Sequence, residues 1–270
     1  MTTLDASPGA ARVALVTGAA RGIGAAVAKR LSEKGWRLVL VDSCADDPAA
    51  GYALATKAEL GAVVAGCGAS AIGHVADVRD QAALGEAVEL ALARFGGLDA
   101  AIAVAGLVAG GPNTWDTGDA LWAAMIDVNL AGVWRLARAA VPAMLERPAP
   151  RRGRFVAVAS AGGIVGLPRL GAYVAAKHGV VGLVRSLAAE LGPEGITANI
   201  VAPGSTRTEA LTASAAVYDL GSPDEFSAHH LVPRLLEPDE VAAAVVWLCE
   251  ESSSGVTGIV LPVDGGMTAR

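Results

Sequence analysis

The sequence predicts an α/β fold: one doubly wound parallel sheet of seven strands with helices on both faces and no second domain. Three observations predict it. Short apolar runs at 13–17, 37–41, 71–76, 99–104, 154–159, 196–202 and 258–263 alternate with longer helical patterns. Strands covered by helices on both faces read as continuous apolar runs. A glycine-rich turn, Gly18-Ala-Ala-Arg21-Gly22-Ile23-Gly24, joins the first run to the first helical pattern. The length, 270 residues, fits a single domain of this class. Residues 1–12 read as a flexible N-terminal tail, and 13–270 as the domain, with an insertion at 43–56 and a lid at 205–235.

Composition excludes several functions. The chain is 53% hydrophobic with 4% aromatic residues, so its core is built from small side chains. Net charge is −6, and without a basic block no nucleic-acid surface is expected. No apolar run is long enough to span a membrane, and the first twelve residues lack the basic start and apolar stretch of a signal peptide. Cys44, Cys67 and Cys249 have no Cys-x-x-Cys spacing, which points to a reducing, cytoplasmic setting. His74, His178, His229 and His230 show no ligand spacing with acidic partners, so no metal is expected.

The elements follow in order. Val13-Ala-Leu-Val-Thr17 is a buried strand running into the glycine turn. Glycines there allow a tight turn and close backbone approach, and the next helix offers its free N–H groups to a pyrophosphate. The second strand ends at Asp42-Ser43. An acidic residue about 20 positions past the glycines suits ribose hydroxyls and repels a 2′-phosphate, which favours NAD over NADP. Arg21 argues weakly the other way, since a phosphate could meet it. Residues 43–56 form a long connection beside Asp42 with a plausible cofactor-covering role, expected far from Tyr173. Thr56 and Glu59 have capping-box spacing for the helix that follows.

The third strand ends at Asp77-Val78, where Asp77 either accepts the adenine amino group or caps the surface. Asp80 and Gly96 bound a helix over 81–95. The fourth strand ends at Ala105-Gly106. A long helix over 119–145 carries Asn129, by itself read as a buried hydrogen-bond partner, and Trp122, Met125, Val133 and Trp134, more large apolar groups than a sheet-facing stripe needs. Ser160 closes the fifth strand at the edge where parallel sheets bind ligands; no Gly-x-Ser-x-Gly elbow makes it a nucleophile. Tyr173 and Lys177, four apart, share a helix face, and a nearby ammonium favours the phenolate, lowering the tyrosine pKa. The sixth strand leads to Pro203-Gly204, and 205–235 is an irregular excursion with apolar side chains at Leu211, Val217, Tyr218, Leu220, Phe226 and Leu231. A helix over 239–249 precedes the last strand and Asp264-Gly-Gly266.

Taken together from Val13 to Met267, these residues resemble the short-chain dehydrogenase/reductase family. Thr17-Gly18-x-x-x-Gly22-Ile23-Gly24, Asp77-Val78, Asn129, Ser160, Tyr173-x-x-x-Lys177, Pro203-Gly204-x-x-x-Thr208 and Asp264-Gly-Gly266 carry the resemblance. It implies a Rossmann fold and an oxidoreductase passing hydride between NAD(H) and a hydrophobic secondary alcohol or its ketone. Tyr173 is then the general acid/base, Lys177 lowers its pKa and binds the nicotinamide ribose, Ser160 holds the substrate oxygen, and Asn129 places a water that links Lys177 to solvent. The implied cofactor contacts are Gly18, Arg21, Gly22, Ile23, Gly24, Asp42, Ser43, Asp77, Val78, Ala105, Gly106, Tyr173, Lys177, Pro203, Gly204, Thr206 and Thr208. The resemblance also implies a homotetramer. Ala103-Val104-Ala105-Gly106 departs from the family's Asn-Asn-Ala-Gly, which puts local rigidity in question. The insertion with Tyr52-Ala-Leu-Ala-Thr56 is similar to that of the mycofactocin-associated branch, whose members are thought to hold NAD tightly and re-oxidise it through an external, peptide-derived redox carrier. A 3-oxoacyl thioester reductase is the alternative within enzymes, and a non-catalytic dinucleotide sensor the alternative outside them.

Overall fold

The computed structural model describes residues 11–269. β1 (Val13–Thr17) passes through the glycine turn into α1 (Gly22–Glu33), and β2 (Arg37–Asp42) is followed by the insertion and α2 (Lys57–Cys67). Then come β3 (Ala71–Val75), α3 (Gln81–Phe95), β4 (Ala100–Ala103), α4 (Asp119–Ile126), α5 (Gly132–Leu145), β5 (Gly153–Val158) and α6 (Gly171–Leu191). β6 (Ile196–Pro203), α7 (Glu209–Val217), α8 (Pro238–Cys249) and β7 (Val260–Val263) complete the chain. The strands form one parallel seven-stranded sheet in the order β3-β2-β1-β4-β5-β6-β7. Strand order reverses between β1 and β4, so a crevice opens beyond their carboxyl ends, where such sheets bind ligands.

The alternation of inward side chains on these strands builds a core on each face. Leu15, Val39, Ala101 and Phe155 pack with Leu84, Leu136 and Val180 under α3, α5 and α6. Val16, Leu38, Ile102 and Val156 pack with Val27, Leu31 and Val245 under α1 and α8. Small side chains let the helices lie close to the sheet, as the composition predicts. Caps expected from sequence are formed: the Thr56 side chain accepts from Glu59 N while the Glu59 carboxylate accepts from Thr56 N, and Asp80 accepts from Ala82 and Ala83 N.

Several expectations are corrected. The single helix over 119–145 is interrupted by a π-helical turn at Asp127–Ala131. Such turns displace one residue from the regular ladder, and they favour functional positions; here the displaced segment carries Asn129. Met125 and Val133 are core residues at 0% and 3% exposure, whereas Trp122 and Trp134 stand 44% and 46% exposed. Only the two tryptophans are therefore surplus to the sheet-facing stripe. Residues 205–235 are more regular than expected, with α7 and a 3₁₀ segment at Pro223–His229, each started by a side-chain cap from Thr208 and Ser222. The tail expected at 1–12 lies outside the described residues except Ala11 and Arg12. Arg12 is fixed: its guanidinium donates to Cys249 O at 2.6 Å and Arg152 O at 2.7 Å and stacks on Trp36 at 4.2 Å.

Candidate active site

Two adjoining cavities occupy the crevice. The first, about 590 Å³, is lined by Gly18, Arg21, Gly22, Ile23, Gly24, Asp42, Ser43, Asp77, Val78, Ala105, Gly106 and Thr208 among others. The second, about 700 Å³ and mostly apolar, contains Asn129, Ser160, Tyr173, Lys177, Pro203, Gly204, Thr206 and Thr208 in its wall. The cavities share Ile23, Val104, Gly106, Leu107, Thr208 and Ala210. The structure thus brings together in these two cavities every residue that the sequence assigned to catalysis or to the cofactor.

The first cavity depends on close backbone approach. Gly24 packs on the Gly18 carbonyl so tightly that a Cβ would overlap it, and a Cβ on Gly18, at φ +67°, would sit 2.7 Å from Ala105 Cα. Asp42 is held by its neighbours: Oδ2 accepts from Ala20 N at 3.0 Å and Oδ1 from Cys44 N at 3.3 Å. Its carboxylate therefore faces the glycine turn at the end of β2. The missing asparagines after β4 are replaced by a different brace, since Thr17 Oγ1 accepts from Val104 N at 3.3 Å and Ala105 N at 3.4 Å.

Two expected contacts in this cavity are already engaged. The Asp77 carboxylate accepts from the Arg79 guanidinium, at 2.5 Å for the shortest contact, and from Arg79 N at 2.8 Å. Burial pulls the Asp77 carboxyl upward, but the Arg79 hydrogen bonds outweigh it and hold it below the usual carboxylate range. Arg21 Nη2 donates to Ala53 O at 2.8 Å, which ties one edge of the guanidinium to the insertion.

The insertion is a wall of the cavity. Arg21 grips it at Ala53, Arg79 grips it at Asp47 with a 2.7 Å ion pair, and Val108 N approaches Tyr52 Oη at 3.5 Å. The Asp47 side chain is only 6% exposed, a burial that its partner charge makes tolerable. Tyr52 lines the first cavity, and its hydroxyl meets Val108, which lines the second. Through Tyr52 and Val108 the insertion touches the lining of the cavity that holds Tyr173. Tyr52, Asp47 and Arg79 were missed as site residues; an aromatic group inside a polar loop was the available signal for Tyr52.

In the second cavity, α6 presents Tyr173 and Lys177 one turn apart. Lys177 is 4% exposed, and Nζ donates to Val158 O at 3.1 Å. Burial alone lowers its pKa to about 8. The Tyr173 hydroxyl bonds to Ser160, whose Oγ also accepts from Gly162 N at 3.0 Å. Contrary to expectation, the Tyr173 pKa is raised, to about 12: burial dominates, the Ser160 hydrogen bond pulls it down, and Tyr52 pushes it up. Lys177 Nζ is aimed at the Val158 carbonyl and lies 5.7 Å from the Tyr173 ring centre. Asn129, fully buried, accepts from Leu107 N through Oδ1 and donates to Met125 O through Nδ2, both at 3.0 Å. Gly106 faces this group directly; a Cβ there would stand 2.8 Å from Asn129 Oδ1 and 3.4 Å from Lys177 Nζ. Only glycine lets the backbone pass so near both.

Fold and site define the class as a dinucleotide-dependent oxidoreductase. The comparisons agree. Residues 18–268 match a family model described as enoyl-(acyl carrier protein) reductase. The (−)-trans-carveol dehydrogenase of Rhodococcus erythropolis is 38% identical, with 96% of this chain and 98% of that protein aligned. An uncharacterized NAD-dependent oxidoreductase of Mycobacterium tuberculosis is 38% identical over 94% of this chain and 95% of its own. The crystal structure of carveol dehydrogenase from Mycobacterium avium in complex with NAD superposes with a TM-score of 0.91 at 33% identity, covering 97% and 99% of the two chains. The chain belongs to the short-chain dehydrogenase/reductase family.

Proposed function

We propose that this protein oxidises a hydrophobic secondary alcohol to its ketone, or runs the reverse reaction, with NAD(H) in the first cavity. One observation carries the reading. The Ser160, Tyr173, Lys177 and Asn129 group lies in the wall of an apolar cavity that opens directly into the cavity below the glycine turn. The residues fit the cofactor: Gly18 and Gly24 permit close backbone approach, α1 presents its N-terminus, and Asp42 meets ribose hydroxyls. NAD, when bound, supplies the hydride acceptor. Ser160 Oγ, oriented by Gly162 N, holds the substrate oxygen, and Tyr173 Oη exchanges the proton with it. Lys177 Nζ and Asn129 Oδ1 both lie beside Gly106; Lys177 passes that proton to a water that Asn129 places, and the water hands it to solvent. Leu167, Leu170, Leu211, Leu220 and Phe226 enclose the rest of the substrate, and a cyclic terpene alcohol such as carveol suits that wall. Asp42 favours NAD, which counts against a biosynthetic thioester reductase.

The test is a screen of terpene, steroid and acyl alcohols with NAD, following NADH by absorbance. Turnover of at least one cyclic secondary alcohol is expected. Binding of NAD without oxidation of any would favour the non-catalytic dinucleotide sensor.

The insertion is read as a strap over the adenosine side of the cofactor, in support of the mycofactocin-associated assignment and of re-oxidation by an external carrier. Purified protein is then expected to carry NAD through gel filtration and to exchange it slowly with labelled NAD. Deleting 46–54 removes Tyr52 as well, so Asp47→Ala is the cleaner variant: it cuts the Arg79 tether and spares Tyr52. Faster NAD release is expected from both. Protein that purifies empty and exchanges as fast as the deletion reduces the insertion to a solvated linker.

The assembly is read as a homotetramer with 222 symmetry. Trp122 and Trp134 project from the α4 and α5 stretch beside α6, and β7 is an uncovered sheet edge. Light scattering at micromolar concentration is expected to give four times the chain mass of 27.0 kDa; a monomer contradicts it.

A further inference from the structure

Among the described residues, three that are not glycine have a left-handed backbone: Cys44, Arg169 and Asp219, at φ +50°, +62° and +57°. The last two are partners. Arg169 Nη1 donates to Asp219 Oδ2 at 3.2 Å. Arg169 precedes Leu170 in the loop that lines one side of the apolar cavity, and Asp219 follows Tyr218 at the end of α7, which lines the other. Next to the ion pair, Tyr218 Oη donates to Pro168 O at 2.8 Å, across the same gap. The Tyr218 ring also meets Phe226 edge-on, 5.8 Å between centres and 81° between planes. On its other side, Arg169 is tied down: Nε donates to Gly111 O at 2.8 Å, and Gly111 N donates back to Arg169 O at 3.0 Å. The loop is thus anchored and α7 is fastened to it.

We propose that Tyr218, Arg169 and Asp219 form a latch between α7 and the 165–170 loop that determines which substrates reach Tyr173. Backbone strain outside glycine persists only where surroundings impose it, and it concentrates at clamps and switches. Here both strained residues sit on the two halves of one contact. The fastening is weak by construction. The Arg169 and Asp219 side chains are 40% and 82% exposed, a setting in which ion pairs hold little. A weak closure suits an element that must open in every catalytic cycle. Opening separates Tyr218 and Leu211 from Pro168 and Leu170, which widens the cavity on its apolar side. Bulky alcohols need that movement more than small ones.

This inference rests on the reading that the apolar cavity takes the substrate, and the experiment separates the two. Tyr218→Phe removes the hydrogen bond and keeps the ring against Phe226. Asp219→Asn removes the charge and keeps a residue that tolerates the left-handed backbone. Hydrogen–deuterium exchange by mass spectrometry is measured on both variants without alcohol. Exchange over 209–229 is expected to rise about three- to tenfold, the effect of losing one net hydrogen bond, while 153–158 in the sheet stays unchanged. With NAD, the ratio of kcat/KM for carveol to that for cyclohexanol is expected to rise by about the same factor. Unchanged exchange in both variants overturns the latch. Faster exchange with an unmoved ratio overturns its role in selecting substrate. If wild type oxidises neither alcohol, the substrate reading fails, and exchange alone still decides whether the latch exists.

Discussion

Tyr173→Phe is expected to lower kcat for alcohol oxidation by about 10²–10⁴-fold, the usual contribution of a general acid/base, while leaving NAD affinity close to that of wild type. The substitution removes one oxygen and keeps the ring that packs in the cavity wall. Ser160 keeps its bond from Gly162 N, so the substrate oxygen still has a place to dock. What is lost is the group that exchanges a proton with it. The direction of the Tyr173 shift adds a second, independent signature. With its phenol pushed up to about 12, Tyr173 holds its proton at neutral pH, which suits protonation of an alkoxide during ketone reduction. Oxidation needs the opposite state. Below the Tyr173 pKa the phenolate fraction grows about tenfold per pH unit, so wild-type oxidation is expected to climb with pH, and the residual activity of Tyr173→Phe to lack that climb. Lys177 sets an upper bound on this trend: lowered to about 8 by burial, it begins to lose its charge there, and the climb is expected to flatten. Initial rates from pH 6 to pH 10 test both points. Activity of the variant within a few-fold of wild type would falsify the assignment of Tyr173.

The parts of the protein legible in sequence are those in which local chemistry and fold agree. The β1 turn into α1 was readable because its glycines are demanded by local contacts, Gly24 against the Gly18 carbonyl and Gly18 against Ala105. Thr56 with Glu59, and Asp80 with Gly96, fixed helix ends through side-chain and backbone bonds within three or four residues. The four-residue spacing of Tyr173 and Lys177 needed only helix geometry. What escaped depends on distance in the chain. Arg79 joins Asp77 to Asp47, and Arg21 reaches Ala53; no local pattern announces either. The π-helical turn at Asn129 is equally silent, because the residues around it are ordinary helix formers. The pKa of Tyr173 was misjudged for the same reason. Its sequence neighbour Lys177 was visible, whereas the burial that raises the pKa comes from the fold around it.

Asp42→Ala is expected to raise the NADP-to-NAD ratio of kcat/KM by about 10- to 100-fold. Two unit charges about 5 Å apart interact by roughly 3 kcal/mol at an effective dielectric near 20, which is close to a hundredfold at about 1.4 kcal/mol per decade. Asp42 is partly exposed at the cavity wall, so screening by salt lowers that figure toward the smaller end. The ratio moves from both sides. A 2′-phosphate no longer meets a carboxylate, and NAD loses the acceptor for its ribose hydroxyls. Arg21 spends one donor on Ala53 O at 2.8 Å and keeps its other N–H groups and its charge for the phosphate, so relieved repulsion and Arg21 act in the same direction. Asp42 also accepts from Ala20 N and Cys44 N, so alanine frees two N–H groups of the turn and loosens it. Asp42→Asn separates the contributions in part: it removes the charge and keeps one accepting oxygen, so only one of the two N–H groups loses its partner. Its NAD affinity is expected to fall less than that of Asp42→Ala, with a comparable gain toward NADP. Steady-state kinetics with both cofactors on wild type and the two variants is the measurement. A wild-type protein that already prefers NADP overturns the reading of Asp42. A ratio unmoved in both variants places the discrimination elsewhere in the cavity, with Arg79 and the insertion as the next groups to change.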